Sequence, residues 1–438
     1  MDAAGHDRVE AGRRTRWSDG ASVAAAVADA HRREWAFVLA AAVRVTRDLD
    51  LAEECVQDAY AQALAAWSQR GVPAKPGAWL TTVARRRALE LLRREATMRR
   101  LLPYLLTEQT EPGPGGGGDP AIPDDRLRLI FTCCHPALSV EAQVALTLRL
   151  LCGLKTAEVA RAFLVGEATM AARITRAKKK IAAAAIPYRV PATDELPARV
   201  DAVLTVVHLL FTTGHTAPAG AELIRRDLVE RSLELARMLR TLLPDDAGVA
   251  GLLALILLTD ARRGARTGAD GRLVLLSEQD RSRWDRRAID EGVALVRHAL
   301  RHRPPGRFAL MAAIAAVHAE ASAWQDTDWA EIVALYDLLV RLWPSPVVAL
   351  NRAVAVGFAR GPAAGLAALD ALAAEPQLAG YAYAASSRGA FLARLGRVAE
   401  ARAAYEEAVL LTENAVERAY LAARLHHLPP VAQDEPSW

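Results

Sequence analysis

The stretch Thr156–Ile181, TAEVARAFLVGEATMAARITRAKKKI, decides how this chain is read. A short helix, a four-residue turn and a basic second helix follow one another. That is the layout of a helix-turn-helix, whose second helix lies in a DNA major groove. Thr156 is placed to cap the first helix, and Ala157, Val159, Ala160 and Phe163 give it an apolar side. Leu164 to Glu167 make the expected turn, with Gly166 free to take a positive φ. In the second helix Met170, Ile174, Ala177 and Ile181 recur at helical spacing and are expected to face a core. Arg173, Arg176, Lys178, Lys179 and Lys180 fall on the other sides, and Ala171, Ala172 and Thr175 are small enough for a deep fit in a groove. An amphipathic hairpin with a solvated charge run would give the same local pattern, since helical hairpins are common in all-α proteins.

The rest of the chain sets the frame. Its 438 residues exceed what one core can hold, so several domains are expected. It is rich in Ala, Leu and Arg and has no alternating β-branched runs, which predicts an all-α fold. The net charge of +4 is modest but unevenly placed. Residues 81–100 hold seven Arg against two Glu, residues 167–180 hold five bases against one acid, and residues 48–58 hold five acids and no base. Two basic patches and one acidic patch suggest two nucleic-acid sites and one site for a basic protein surface. The four cysteines make no disulfide framework. Cys55 and Cys152 fall on apolar helix faces, and Cys133-Cys134-His135 lacks a CxxC pair or an evident fourth ligand, so no metal is expected. The charged N-terminus lacks a secretory pattern, and the longest apolar runs, such as Leu252 to Leu258, are too short for a membrane span. A cytosolic protein without membrane contact is expected.

Along the chain, residues 1–22 read as a disordered extension and 23–100 as a helical domain. Within that domain, residues 50–67 are two-sided. Ala52, Cys55, Val56, Ala59, Tyr60, Ala63, Leu64 and Trp67 share one face, and Asp50, Glu53, Glu54, Gln57 and Asp58 share the other. Pro73 and Pro76 separate this helix from a long basic one over 77–100. Residues 101–121, with EPGPGGGGDPA, read as a linker. A second helical domain is expected over 122–190, with Ser139 capping its middle helix and Gly153 ending it. A helical extension follows over 191–324, then repeats over 325–425 and a tail over 426–438. The repeat shows in Gly396, Ala401, Tyr405 and Ala408. The same offsets recur at Gly361, Leu366, Asp370 and Ala373, and at Thr327, Ile332, Tyr336 and Leu339. A period of 34–35 residues fits tetratricopeptide-like helical pairs, and generic hairpins of similar length fit it as well. Such arrays offer a groove for a peptide or protein.

Catalytic signatures are lacking. There is no GxGxxG, P-loop, GxSxG or HExxH, and Gly115 to Gly118 sit among prolines and acids with no strand before them. His208 and His215, around Phe211, are the one pair that suggests a pocket. An enzyme there would require them to converge on a cavity with a carboxylate. No enzyme and no cofactor is expected.

An acidic helix, a loop flanked by Trp67 and Trp79, a basic helix, a linker and a basic helix-turn-helix come in that order. In this the chain resembles the extracytoplasmic-function (ECF) sigma factors of bacterial RNA polymerase. The resemblance is carried by DLDLAEECVQDAYAQALAAW (48–67), PGAWLTTVARRRALELLRRE (76–95) and residues 156–181. The whole chain, over roughly 25–425, is similar to a subgroup with a long C-terminal tetratricopeptide-like extension. That similarity rests on FTCCHPALSVEAQVALTLRLLCGL (131–154), GLLALILLTDARRGAR (251–266), SEQDRSRWD (277–285) and RLWPSPVVALNRAVA (341–355).

The resemblance implies two sigma domains, core RNA polymerase and promoter DNA as partners, and a regulatory extension. Asp50, Glu53, Glu54, Gln57 and Asp58 would dock on polymerase. Trp79, Arg85, Arg86, Arg93 and Arg94 would engage the −10 element, with the tryptophan stacking on a base. Thr169, Ala171 and Ala172 would approach bases of the −35 element, while Arg173, Arg176 and Lys178 would hold phosphates. The repeats would bind a peptide or protein, or contact the sigma domains. Arg86 and Glu90 stand where relatives carry Asn and Asp, and HLLFTTGH (208–215) stands where they carry a YLxFNEGY-like stretch. With alanine at both 171 and 172, shape readout of the −35 region is favoured over hydrogen bonding. A DNA-binding regulator that is not a sigma subunit is the alternative.

Overall fold

Small residues at helical spacing let the first three helices approach closely. The computed structural model describes residues 20–101, 125–163, 165–192 and 194–429. Most of the expected N-terminal extension, linker and tail therefore lies outside the described residues, although helix α1 already begins at Gly20. Backbone contacts divide the chain into two units, Met1–Val206 and Val207–Trp438.

In the first unit, α1 (Gly20–Thr46), α2 (Leu49–Arg70) and α3 (Pro76–Leu101) pack on one another. Asp48 Oδ1 accepts from Leu51 N at 2.8 Å and starts α2. Gly71, at φ 79°, ends it by donating its N–H to Trp67 O. Trp35, Leu39, Cys55, Val56, Ala59, Trp67, Leu80 and Ala84 are buried between the three. Leu64, expected on the apolar face, is 48% exposed. The buried stripe follows Ala52, Cys55, Ala59, Ala63 and Trp67, which leaves Leu64 at its margin.

Next come α4 (Asp125–Cys133), α5 (Val140–Leu146) with a π-helical continuation over Thr147–Leu151, α6 (Thr156–Ala162) and α7 (Glu167–Ala183). Ser139 Oγ accepts from Ala142 N at 3.4 Å, and Gly153 turns the chain at φ 67°. Two local expectations change. Glu158 Oε2 reaches back to Lys155 N at 2.6 Å, so Thr156 is the first helical residue rather than the cap. Gly166 adopts φ −66°, ψ 149°, because it caps α7 from the extended region and no positive φ is needed.

Helix α8 (Leu196–His215) begins in the first unit, where Arg199 Nη2 donates to Phe131 O at 2.5 Å. That unit therefore runs past residue 190 to Val206. By length and composition α8 is long and apolar enough to cross a membrane. Arg199, Asp201 and His208 interrupt its apolar run, which is why no single stretch stands out in the sequence. Val203, Leu204, Val207, Leu210 and Phe211 are buried, as in the core helix of a globular unit.

The second unit is built around α10 (Ala247–Asp260), whose Leu252 to Leu258 are all buried. It packs against α9 (Arg226–Leu242), α11 (Arg286–Ala299) and α12 (Arg307–Glu320). From there each helix packs on the next: α13 (Trp329–Leu342), α14 (Pro346–Arg360), α15 (Pro362–Asp370), α16 (Ala382–Arg394), α17 (Val398–Leu411) and α18 (Ala415–His426). The repeat offsets are met unequally. Ala401, Tyr405 and Ala408 are buried, as are Ile332 and Leu339. Leu366 is buried, but Asp370 and Ala373 are exposed because α15 ends at Asp370.

One short parallel pairing joins the start of this unit to its end. β1 (Ala219–Gly220) lies beside β2 (Glu413–Asn414). Asn414 is fully buried there. Its amide donates to Ala217 O at 3.0 Å and Glu222 O at 2.9 Å, and its Oδ1 caps α18 through Val416 N and Glu417 N. Asn414→Ala is expected to cost about 2–4 kcal/mol, by losing a cap and stranding two buried carbonyls. Urea unfolding of the full chain checks this. Asn414→Asp keeps the cap acceptor but turns a buried carboxylate oxygen onto the Ala217 and Glu222 carbonyls, so it should destabilise at least as much as alanine.

Candidate nucleic-acid interface

The acidic face of α2 does not stand clear of the protein. Asp50, Glu54 and Gln57 are exposed, and Asp58 is half-buried with Oδ2 accepting from Arg87 Nε at 2.8 Å. Glu53, expected beside them on the open face, is only 5% exposed. Two bases from the region after the linker cover it. Lys178 Nζ of α7 bonds Glu53 Oε2 and lies 2.6 Å from Asp50 Oδ1. Arg149 Nη2 lies 2.7 Å from Glu53 Oε1, an ion pair without a well-aligned hydrogen bond. Burial alone would depress the Lys178 ammonium. Glu53 and Asp50 more than offset it, so its pKa lies above the ordinary lysine value. Lys178 therefore neutralises carboxylates here and does not face solvent, contrary to the phosphate role expected of it.

The same junction is fixed by groups that the sequence did not single out. Trp35 Nε1 donates to Leu150 O at 3.0 Å, and the Arg149 guanidinium sits 5.9 Å from the Trp35 ring centre. Tyr188 Oη lies 2.9 Å from Ala40 O and 3.0 Å from Asp125 O, and Arg44 pairs with Asp125 at 3.4 Å. At Gly153 a Cβ would come within 2.9 Å of the Trp35 ring, so the turn needs glycine for space as well as for its φ. An isolated arginine in the apolar run TLRLL was the available signal for Arg149.

The remaining basic groups divide clearly. On α3, Arg93 and Arg94 are exposed, Arg85 is half-buried, and exposed Arg86 bonds Glu90 at 3.2 Å. Trp79 is half-buried, with its ring edge-on to buried Trp67 at 5.7 Å. On α7, Met170, Ile174, Ala177 and Ile181 are buried as expected. Thr169, Ala171, Ala172, Thr175, Arg176, Lys179 and Lys180 are exposed together. Arg173 is half-buried, with its guanidinium 5.5 Å from the Phe163 ring centre. The face of α7 that remains open is thus small at its centre and basic at its margins.

The cysteine and histidine groups are engaged in packing. Burial pushes the Cys134 thiol up to about 12 and Cys133 well above its ordinary value. His135 Nδ1 accepts from Ala137 N at 3.1 Å. Among the described residues no three metal-ligating side chains cluster. In the second unit His208 and His215 do line one cavity with Glu417. Their rings are packed, His208 edge-on to Phe308 at 5.5 Å and His215 over Phe211 at 5.3 Å. Burial lowers His208 to about 4 and His215 well below its ordinary value, so both are neutral near pH 7.

The sequence matches Sigma-70 region 2 over residues 31–97, which spans most of α1 to α3. It matches Sigma-70 region 4 over residues 128–181, ending within α7. Residues 199–300 match a family of unknown function, DUF6596. The chain is also similar to an uncharacterised protein of Rhizobium meliloti (strain 1021). The two are 43% identical over 394 residues, covering 89% of this chain and 93% of that protein. Regions 2 and 4 act by binding core polymerase and promoter DNA rather than by catalysing a reaction. With both in order, each on the helices that carry its acidic or basic face, the chain belongs to the sigma-70 family of RNA polymerase sigma factors, with a DUF6596-type C-terminal extension.

Proposed function

We propose that the protein is an alternative sigma factor of the extracytoplasmic-function type, working in the cytoplasm. On this reading α2 docks on polymerase through Asp50, Glu54, Gln57 and Asp58, with Glu53 joining once uncovered. Trp79, Arg85, Arg86, Arg93 and Arg94 of α3 serve the −10 element. Thr169, Ala171 and Ala172 enter the −35 major groove, flanked by Arg173 and Arg176 on phosphates. The observation that carries this reading is the match to Sigma-70 regions 2 and 4 in order, with an acidic face on α2 and an open, basic-edged face on α7. On this reading the cluster of Lys178 and Arg149 on Glu53 covers part of the surface offered to polymerase, so docking is coupled to release of α7 from α2. Lys178 reaches phosphate only after that release.

The stack from α12 to α18 is read as tetratricopeptide-like, with a peptide, a protein or the sigma domains as its partner and control of activity as its role. Run-off transcription with purified core polymerase and a pooled library of upstream DNA tests the main reading. New transcripts should require both the protein and core. DNA binding without any core-dependent transcript would instead indicate a regulator that is not a sigma subunit.

A further inference from the structure

The second unit carries an open cavity of about 920 Å³ that no part of the sigma function uses. Two arginines on its wall are unusual. The Arg262 guanidinium makes no hydrogen bond or ion pair with any described residue. Arg266, 7% exposed, donates only to neutral acceptors, His215 O and Thr216 Oγ1. The neighbouring carboxylates are otherwise engaged or open to solvent. Asp260 is held bidentately by Arg263 at 2.7 and 2.5 Å, Glu417 accepts from the Tyr383 hydroxyl, and Glu413 is exposed. His208 and His215 are neutral and add no further positive charge. Burial, and then Arg266's like charge, lowers Arg262 to about 10, which still leaves it fully charged near pH 7. Glu417 and Asp260 favour the Arg266 charge without pairing with it, whereas the partly buried Arg262 guanidinium has no ion pair of its own, which is costly for a cation withdrawn from water.

A second lobe of about 280 Å³ adjoins this cavity and shares Leu273, Leu275, Val354, Tyr383, Ser387 and Glu417 with it. Beyond them its wall is mostly apolar, with Phe358, Ala390, Phe391 and Leu421, and carries the hydroxyls of Ser386, Thr412 and Tyr420. One end of the joined space therefore offers positive charge and the other offers apolar surface. The larger cavity by itself, at about 920 Å³, has the size of a small-molecule site, about 300–1,000 Å³.

We propose that this cavity binds a small amphiphilic anion, with a carboxylate or phosphate head at Arg262 and Arg266 and an apolar body in the lobe lined by Phe358 and Leu421. The planar guanidinium of Arg262 has its donors free for an oxyanion. The inference rests on the second unit alone and does not depend on how the sigma domains engage polymerase.

Isothermal titration of the full chain tests it, using acetate, hexanoate, decanoate, decyl phosphate, inorganic phosphate and neutral 1-decanol below their aggregation limits. Affinity should rise with chain length. Decanoate or decyl phosphate should bind at least about tenfold more tightly than 1-decanol, and whichever is tighter identifies the head group. Arg262→Gln should weaken that binding about tenfold or more and raise the melting temperature of the unliganded protein, because it removes an unpaired, partly buried charge. Ser387→Phe, at the neck between the lobes, should abolish the chain-length dependence. It serves as the deciding variant if Arg262→Gln does not fold. Failure of both amphiphiles to bind would overturn the proposal. So would binding that neither variant alters, or binding of inorganic phosphate with no gain from a tail.

Discussion

Glu53→Ala is expected to destabilise the first unit by about 3–5 kcal/mol, whereas Glu54→Ala, one residue along the same helix, should change stability by less than about 0.5 kcal/mol. The difference comes from what faces each carboxylate. Removing Glu53 leaves the largely buried Lys178 and Arg149 without their shared carboxylate, with only exposed Asp50 to balance them. Glu54 faces solvent. Denaturant unfolding followed by the far-ultraviolet circular dichroism of the full chain measures both. Equal small effects would mean that the cluster contributes nothing to holding α7 on α2. Polymerase binding should separate the pair the other way round. Glu54→Lys should abolish association with core while leaving unfolding unchanged.

The pH dependence follows from the raised Lys178 pKa. A lysine raised on folding contributes stability that is fully present below its unfolded value, about 10.4, and is lost as pH rises through the folded value. The junction should therefore be insensitive to pH from neutrality to about pH 10 and loosen above it.

Ala172→Glu is expected to remove −35-dependent transcription almost entirely, with a loss of promoter affinity of about 2–4 kcal/mol and no change in unfolding. Ala172 is exposed at the centre of the open face of α7, where a carboxylate would meet the negative edge of the groove without disturbing Met170 or Ile174 beneath. Arg176→Gln should act differently, weakening binding to all sequences and lowering the salt slope by about 0.9. Lys178→Gln should leave the salt slope of free α7-to-DNA binding nearly unchanged if its ammonium stays on Glu53, and lower it by the same amount if docking releases it. Quantitative footprinting against salt, with and without core polymerase, separates these outcomes.

Much of this was legible in the sequence because helices announce themselves locally. The apolar positions of α7, the cap at Ser139, the turn at Gly153 and the breaks around Pro76 all follow from spacing and backbone preference within a few residues. Gly166 was misjudged because an extended N-cap and a left-handed turn favour the same residue type. The cavity was only half legible. His208 and His215 marked it, but its charge comes from Arg262 and Arg266, which in sequence look like part of an ordinary basic turn.

The sequence by itself determined the order of helices, the helix-turn-helix and which side of each helix is apolar, since these depend on neighbours three or four positions away. Only the tertiary structure decided that Glu53 and Lys178 are buried against each other. They lie 125 positions apart, and each occupies the polar face of its own helix. Helical periodicity tells a polar face from an apolar one, but not whether another polar face of opposite charge will close over it.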